Sequence, residues 1–464
     1  MDNVGADDIR ALVPKNKRIK KMAEEKKSIN WVAVITMMFI YGMISFVTNL
    51  AAPMGNVWKY QPGIDGSNML GMMGNMMNFL AYVFMGIPAG KMLTKCGYKK
   101  TAMIGIATGF VGVGIQFLSG LVPSAADGNA VKPFCVYLLG AFVCGFAVCM
   151  LNMVVNPMLN LLGGGGNKGN QLNMIGTTFN SLAGTATPVL VLSLIGEVSK
   201  TTKVADVNLV MYIALTVFAV AFIILSFIPI KNPDQGTTTE KIPALAPLKF
   251  RHCLLGVIAI FMYVGVEVGI PGTMGLWLPA DNGPLVKAGV ANAATVTTGC
   301  VAVYWLLMLV GRTIGAFIGG KVSSRILMVV TTLVAISLLV VGILLPATAT
   351  VSMPVIDVAH LKCWMATVPM TALLFALCGL CTSIMWPSTF NLATEKLGKY
   401  TAAASGLFMV MVVGGGLLPL LQNFIADKAS HMVSYIVPIV ALGYMFIYSA
   451  FLSKPPKNID ELVK

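Results

Sequence analysis

Charged side chains are scarce in this chain. Of its 464 residues only 11% are charged, whereas 57% are hydrophobic and the mean hydropathy is +0.82. A soluble globular domain carries about a quarter charged residues and is close to half apolar. The composition therefore excludes a water-soluble domain and indicates a protein that lies mostly in a lipid bilayer.

Clusters of reactive or metal-binding side chains are also lacking. The three histidines are far apart in sequence, and Cys378 and Cys381 are spaced like a redox or metal pair but have no second pair. The run Gly163 to Gly166 lacks the Gly-Lys-Ser/Thr ending of a phosphate-binding loop. We therefore predict no enzymatic activity, no metal site and no cofactor.

Long hydrophobic stretches recur along nearly the whole chain, and each is long enough to cross a hydrocarbon core of about 30 Å. The predicted spans are residues 31–53, 68–92, 100–123, 133–161, 169–196, 206–230, 251–280, 292–319, 325–346, 362–392, 400–426 and 431–453. The sequence thus predicts twelve transmembrane helices.

Positive charge is distributed unequally between the two sides of this map. The side that carries both termini holds 25 Lys and Arg residues, and the other side holds 7. The positive-inside rule then places both termini in the cytoplasm. The net charge of +14 is explained by this topology, so no nucleic-acid partner is expected.

The central connection, residues 231–250, is rich in Pro, Gly and Thr and separates six spans from six. We therefore predict a cytoplasmic polybasic tail (1–29), a six-helix bundle (30–230), a cytoplasmic linker (231–250), a second six-helix bundle (251–453) and a cytoplasmic tail (454–464). A weak internal repeat supports two related halves, because Gly184 to Pro188 in span 5 matches Gly415 to Pro419 in span 11. Related halves with interrupted helices are typical of transporters.

Six segments in order resemble the major facilitator superfamily, and within it the fucose/proton symporter family of bacterial sugar transporters. They are "GIPAGKMLTKCGYKK" (86–100), "NPMLNLLG" (156–163), "FNSLAG" (179–184), "FMYVGVEVGI" (261–270), "TSIMWP" (382–387) and "GGGLLP" (414–419). The resemblance implies an all-α polytopic membrane protein with two pseudo-symmetric six-helix bundles, the major facilitator fold. It also implies a multi-pass protein of the bacterial inner membrane that imports a sugar.

Two expected carboxylates are replaced in this chain. Family members usually carry an Asp in helix 1 four residues before a Pro, and a Glu in helix 4 four residues before Asn-Pro. Here Asn49 precedes Pro53 and Asn152 precedes Asn156 at those spacings. Because an amide binds a sugar hydroxyl but does not titrate near neutral pH, these positions are expected to bind sugar without carrying a proton.

Glu267 is the one acidic residue deep in a predicted span, about 22 Å from the cytoplasmic start of span 7 at about 1.5 Å per residue. A carboxylate at that depth is costly unless it is protonated, paired or faces a water-filled cavity. Glu267 is therefore the candidate for coupling to a co-transported H⁺ or Na⁺. The alternative is a structural carboxylate hydrogen-bonded to neighbouring helices.

A hydroxyl-rich ligand needs convergent hydrogen-bonding groups and a flat apolar face. The predicted substrate-binding residues are Asn49, Asn152, Asn156, Thr177, Asn180, Glu267 and Trp386. The alternatives are interhelical hydrogen bonding for the polar residues and interfacial anchoring for the aromatic one.

Basic residues near the predicted cytoplasmic ends of spans 2, 3 and 8 form a candidate conformational gate, with Lys91, Lys95 and Arg312 as its members. The general excess of basic residues in cytoplasmic loops explains these three residues equally well. The sequence places no Lys or Arg in the middle of a span, where an anionic substrate would require one. A neutral solute is therefore favoured.

Together these features predict a monomeric carrier that imports a neutral monosaccharide, such as fucose, glucose or galactose, by alternating access. Coupling to H⁺ or Na⁺ and plain uniport both stay open. The alternative substrate is another neutral polar metabolite, such as an amino sugar or a nucleoside. A channel is less favoured because repeated polar or charged rings are missing.

Overall fold

The structure is a computed structural model that describes residues 31–124, 128–162, 166–196, 202–228, 243–290, 292–318, 322–346, 348–357 and 362–456. The predicted polybasic tail and most of the predicted linker and C-terminal tail lie outside these residues. Within the described part, twelve helices are long and apolar enough to cross a membrane. The predicted number of spans is thereby confirmed.

The first half of the chain contributes six of these helices. They are α1 (Trp31–Lys59), α2 (Met73–Leu93), α3 (Lys95–Ser119), α4 (Val131–Leu162), α5 (Gly166–Ile195) and α6 (Asn208–Phe227). Helices α2 and α3 form one helical run with a kink at Gly97, in the first turn of α3, whose φ of +79° is left-handed. That conformation suits glycine because it has no Cβ.

The second half contributes the other six. They are α7 (Arg251–Trp277), α8 (Ala293–Ile318), α9 (Ser324–Leu344), α10 (Met370–Thr382, continued by Met385–Thr394), α11 (Thr401–Met411, continued by Gly414–Lys428) and α12 (His431–Leu452, which ends in a π-helical turn). Below, "first half" means α1–α6 and "second half" means α7–α12.

A β-hairpin lies between α9 and α10, where span 10 was predicted to begin at residue 362. Strand β1 (Thr350–Asp357) pairs antiparallel with β2 (Lys362–Pro369), and helix α10 starts only at Met370. The predicted start was therefore wrong by eight residues. The cause is that β2 alternates exposed and buried residues along its inner part, a period-2 pattern that a hydropathy window does not resolve.

The two ends of the bundle are distinguished by contacts between loops. At one end, which we call the distal face, Pro62 O accepts from Ala130 N at 2.9 Å and Gln61 donates to Thr202 O at 2.9 Å. At the other end, the tail face, Lys99 donates to Ser226 O at 2.8 Å. These contacts place the α1–α2, α3–α4 and α5–α6 connections at one end of the first half, and the start of α3 beside the end of α6 at the other.

Within the described residues, most of the packing between the halves involves two pairs of helices: α5 packs against α8, and α2 packs against α11. Glycines allow close approach at the second contact. A Cβ on Gly416 would lie 2.9 Å from Phe79 Cβ of α2, and a Cβ on Gly414 would collide with the Phe261 carbonyl of α7. Helix α11 therefore touches both halves through a surface of glycines.

Candidate functional site

A pair of opposite charges lies in the interior where the two halves meet. Arg312 of α8 contacts Glu267 of α7, with 3.4 Å between Arg312 Nη2 and Glu267 Oε1, and the side chains are only 19% and 17% exposed. The guanidinium also reaches the first half, where Nη1 donates to Ser181 Oγ at 2.8 Å and to Thr177 O at 3.2 Å on α5. Arg312 therefore connects both halves to the carboxylate.

This geometry corrects one expectation from the sequence. The backbone of Arg312 lies six residues before the end of α8, but its long side chain extends to the level of Glu267 in the interior. The prediction that Arg312 lies near the end of its span holds for its Cα atom but is wrong for its guanidinium, which lies beside Glu267 in the interior. The Arg312 guanidinium is paired with the Glu267 carboxylate, so it is not free to bind an anionic substrate.

A proline explains how the carbonyl group of Glu267 is used. Pro271 lies four residues later in α7 and has no N–H to donate to that carbonyl. The freed oxygen accepts a hydrogen bond from Tyr304 OH of α8 at 3.2 Å, and the same hydroxyl lies 3.1 Å from Thr382 Oγ1 of α10. Tyr304 thereby ties the backbone of α7 at Glu267 to α8 and α10.

A chain of uncharged polar groups continues from the ion pair into the first half. Tyr41 of α1 contacts both α4 and α5, and α5 is also the helix whose residues accept hydrogen bonds from Arg312. The Tyr41 hydroxyl donates to Asn156 Oδ1 of α4 at 2.5 Å, and its backbone carbonyl accepts from Asn180 Nδ2 of α5 at 3.2 Å. Helices α1, α4 and α5 thus place hydrogen-bonding groups around one point.

The predicted residue Asn152 joins this network from the α2 side. Its amide donates to Tyr82 OH at 2.9 Å, and Asn156 Nδ2 donates to Asn152 O at 3.1 Å. The structure therefore brings together Asn152, Asn156, Asn180 and Glu267, with Thr177 contributing its backbone carbonyl to Arg312.

Asn49 lies two helical turns away from Tyr41, toward the distal face. Its amide donates to Ser45 O at 2.9 Å within α1 and faces Gly184 of α5. No described contact joins Asn49 to the network around Tyr41, so its predicted role in binding is untested by this geometry.

An aromatic surface borders the ion pair on the second-half side. The rings of Tyr263 and Trp386 lie 5.9 Å apart and are tilted by 56°. Tyr263 OH is buried near the Glu267 carboxylate and makes no hydrogen bond of good geometry. The predicted residue Trp386 is therefore adjacent to Glu267 through Tyr263.

The predicted gate residues do not lie together. Lys91 and Lys95 are exposed near the tail-face ends of α2 and α3, whereas Arg312 lies in the interior. Arg312 is the member whose side chain bonds to the opposite half within the described contacts. The three residues therefore do not form one cluster.

A second contact between the halves lies nearer the distal face. Pro419 of α11 leaves the carbonyl of Gly415 without a helical donor, and Asn75 Nδ2 of α2 donates to that oxygen at 2.9 Å. Asn75 is 5% exposed, so this bond is shielded from water. It links the two halves through a carbonyl that a proline has freed.

Sequence reasoning missed Tyr41, Tyr82 and Ser181, as well as the interior position of Arg312. The available signal was the place of both tyrosines in the middle of predicted spans, since a buried phenol normally finds a hydrogen-bond partner. Among the described residues there is no group of three His, Cys, Asp or Glu side chains that could hold a metal. What the arrangement offers is hydrogen bonding to a polar solute from both halves at once.

Comparisons with known proteins agree with this architecture. The family model described as Major Facilitator Superfamily matches residues 31–359. A glucose/galactose transporter of Brucella abortus is 27% identical over 458 residues, which cover 95% of this chain and 99% of that protein. The L-fucose-proton symporter of Escherichia coli is 22% identical over 408 residues, covering 82% and 84% of the two chains.

A solved structure shares the fold. The crystal structure of a Major Facilitator Superfamily transporter, the fucose:proton symporter, in its outward conformation aligns with a TM-score of 0.63 at 18% identity, covering 91% of this chain and 98% of that one. The match of the family model over most of the sequence, together with the twelve-helix fold, shows that this chain belongs to the Major Facilitator Superfamily.

Proposed function

We propose that the protein is a secondary carrier that imports a neutral monosaccharide, a hexose or deoxyhexose, by alternating access of two six-helix bundles (30–230 and 251–453). The observation that carries this proposal is the network between the halves. Amide and hydroxyl groups of α1, α4 and α5 meet a charge-neutral ion pair of α7 and α8. Groups contributed by both halves would be drawn together or apart when the halves rock about a bound solute.

The chemistry of the network suits a sugar. Neutral amides and phenols exchange hydrogen bonds with hydroxyl groups in either direction, and an aromatic face packs against the C–H side of a sugar ring. Asn152, Asn156 and Asn180 supply the amides, and Trp386 beside Tyr263 supplies the face. The names of the glucose/galactose and L-fucose relatives favour the same class of substrate.

Glu267 is the group that we assign to cation coupling. It lies in the interior, next to Arg312, and the positions where the fucose/proton symporter family usually has carboxylates are Asn49 and Asn152. A proton or sodium ion that travels with the sugar therefore has this carboxylate as its binding group. Asn49 and Thr177 complete the proposed substrate-binding set.

We further propose that the protein works as a monomer in the bacterial inner membrane, with the tail face in the cytoplasm. The excess of Lys and Arg on that side, 25 against 7, supports this orientation. Lys91 and Lys95 then lie on the cytoplasmic surface, where they stay candidates for a gate.

Transport by purified protein in proteoliposomes tests the function. Preloaded unlabelled glucose, galactose or fucose should drive saturable counterflow of the same labelled sugar, and a nucleoside or amino sugar should compete weakly. Conductance that persists without solute exchange would contradict a carrier. If the protein exchanges a nucleoside faster than any of these sugars, the substrate is the alternative polar metabolite and not a monosaccharide.

Imposed gradients then test coupling. A proton or sodium gradient, applied separately, should drive sugar above equilibrium, and Glu267→Gln should retain counterflow but lose this uphill phase. Full accumulation by Glu267→Gln would remove the carboxylate from the coupling role. Equilibration alone under both gradients would establish uniport.

A further inference from the structure

The distal face carries a contact between the halves that is separate from the central network. Asp427 lies at the last turn of α11 in the second half, and residues 67–69 precede α2 in the first half. The carboxylate of Asp427 accepts four hydrogen bonds from this segment. Its donors are Ser67 Oγ at 2.8 Å, Asn68 N at 3.0 Å, Asn68 Nδ2 at 2.6 Å and Met69 N at 2.9 Å.

The donors form a pocket of partial positive charge. Ser67 caps the short helix Asn68–Gly71, so two of the four donors are backbone N–H groups of a helix start that have no partner within the helix. Lys59, at the end of α1, is 5% exposed and donates from Nζ to Asn68 Oδ1 at 2.7 Å. Asn68 therefore connects a buried cation of the first half to the anion of the second half.

A buried apolar contact between the halves follows three residues after Met69. Met72 is 2% exposed, and its Cε lies 3.2 Å from the position that a Cβ on Gly272 of α7 would occupy. Met72, which directly precedes α2, thus packs against α7 of the second half. Separation of the halves at the distal face requires that the four hydrogen bonds break and that Met72 becomes accessible to water.

From this geometry we infer that Asp427, Ser67 and Asn68 form a latch that holds the distal face closed and sets how often that face opens. The inference rests on the proposed alternating-access function and adds the residues that control one of its two openings. Asp427 is on the rim of the bundle, where water can compete for its carboxylate, so the latch is weak enough to open during each transport cycle.

Labelling of a cysteine at position 72 measures this opening directly. In a Met72→Cys background, the full-length protein in lipid nanodiscs is treated with a membrane-impermeant maleimide, and peptide mass spectrometry gives the labelling rate. The native Cys363, which is exposed in β2, is the internal standard. Adding Asp427→Asn keeps the shape of the side chain but removes its charge, and we expect the rate at position 72 to rise about five-fold.

Two further variants make the test specific. Asn68→Ala removes one donor to Asp427 and the acceptor for Lys59, so it should also raise the labelling rate at position 72. When Asn68→Ala is already present, Asp427→Asn should raise this rate by a smaller factor, because the two residues act together. Asp206→Asn is the matched control. Asp206 also lies at a helix start on the distal face, but it accepts from Lys203 N at 2.8 Å within the first half, and its replacement should leave the rate unchanged.

The outcomes separate the latch from the transport proposal, because labelling needs no sugar. A rate for Asp427→Asn within about two-fold of its parent, or an equal increase for Asp206→Asn, would overturn the latch. A selective increase in a protein that exchanges no sugar would support the latch and refute the proposed substrate. Monodisperse elution of every variant shows that the labelling reports opening and not unfolding.

Discussion

The contact between Arg312 and Glu267 allows a quantitative prediction. Replacing Glu267 by Gln or Arg312 by Met removes one charge and keeps most of the side-chain volume. Breaking a buried ion pair by removing one partner costs about 3 to 5 kcal/mol, whereas an exposed pair is worth about 0 to 1 kcal/mol. Since both side chains are just under one-fifth exposed, we expect a cost between these two ranges, about 2 to 3 kcal/mol for either variant.

The two single variants should differ in a defined way. Arg312→Met also removes the hydrogen bonds to Ser181 Oγ and Thr177 O, so it should cost about 1 kcal/mol more than Glu267→Gln. The double variant leaves no unpaired charge and should therefore be less destabilised than the two single effects added together. The difference, a coupling energy of about 2 kcal/mol, is the quantity predicted by the 3.4 Å contact.

Equilibrium unfolding in mixed micelles, with SDS as the denaturant, gives the four free energies of this cycle. Ser181→Ala serves as a control that removes the contact to α5 but leaves both charges in place. A coupling energy below about 0.5 kcal/mol is what independent sites produce. That result would refute the conclusion that the two charges are paired in the interior.

Three further predictions concern the helix contacts and the aromatic face. Gly414→Ala should lower the thermal midpoint of unfolding because its Cβ would collide with Phe261 O. Gly443→Ala is the control: its Cβ meets nothing within 4 Å, so the midpoint should stay equal or rise. Equal midpoints for the two variants would contradict the close approach of α11 and α7. Asn75→Leu should lower the unfolding free energy by about 1 to 3 kcal/mol because the Gly415 carbonyl loses its donor. The control, Thr108→Val, removes an exposed hydrogen bond within α3 and should lower it by less than about 0.5 kcal/mol. Trp386→Ala should raise the half-saturating sugar concentration in counterflow at least about five-fold while Trp386→Phe retains most of the affinity; an unchanged value for Trp386→Ala would remove this ring from the binding surface.

The fold was largely accessible from the sequence because the membrane imposes one dominant pattern, a long apolar helix. That pattern failed at residues 362–369, where short alternating strands occur within the apolar stretch that leads into α10. A window about as long as a membrane span averages over a period of two residues, so the strand and the helix that follows appear as one span.

The site was accessible only in part. The sequence alone singles out Glu267 because a lone carboxylate in a span is costly. Asn152 and Asn156 have hydrogen-bond partners in one network, and their role in substrate binding stays a prediction. The sequence predicts a helix end for Arg312 because sequence position locates a Cα atom and not the end of a long side chain. Nothing in the sequence singles out Asp427, because a charge at the end of a span is ordinary, and only the fold shows that the segment opposite it belongs to the other half.

The hairpin between α9 and α10 provides a practical handle on this protein. Its two strands pack on α8 and α10, both of the second half, while residues such as Ser352, Cys363 and Met365 face outward. An antibody fragment raised against this surface would add mass and a recognisable shape to one half alone and would avoid Asp427, Met72 and the central network. Such a complex could be imaged by electron microscopy in several conformations, with the fragment marking the orientation of the second half in every particle.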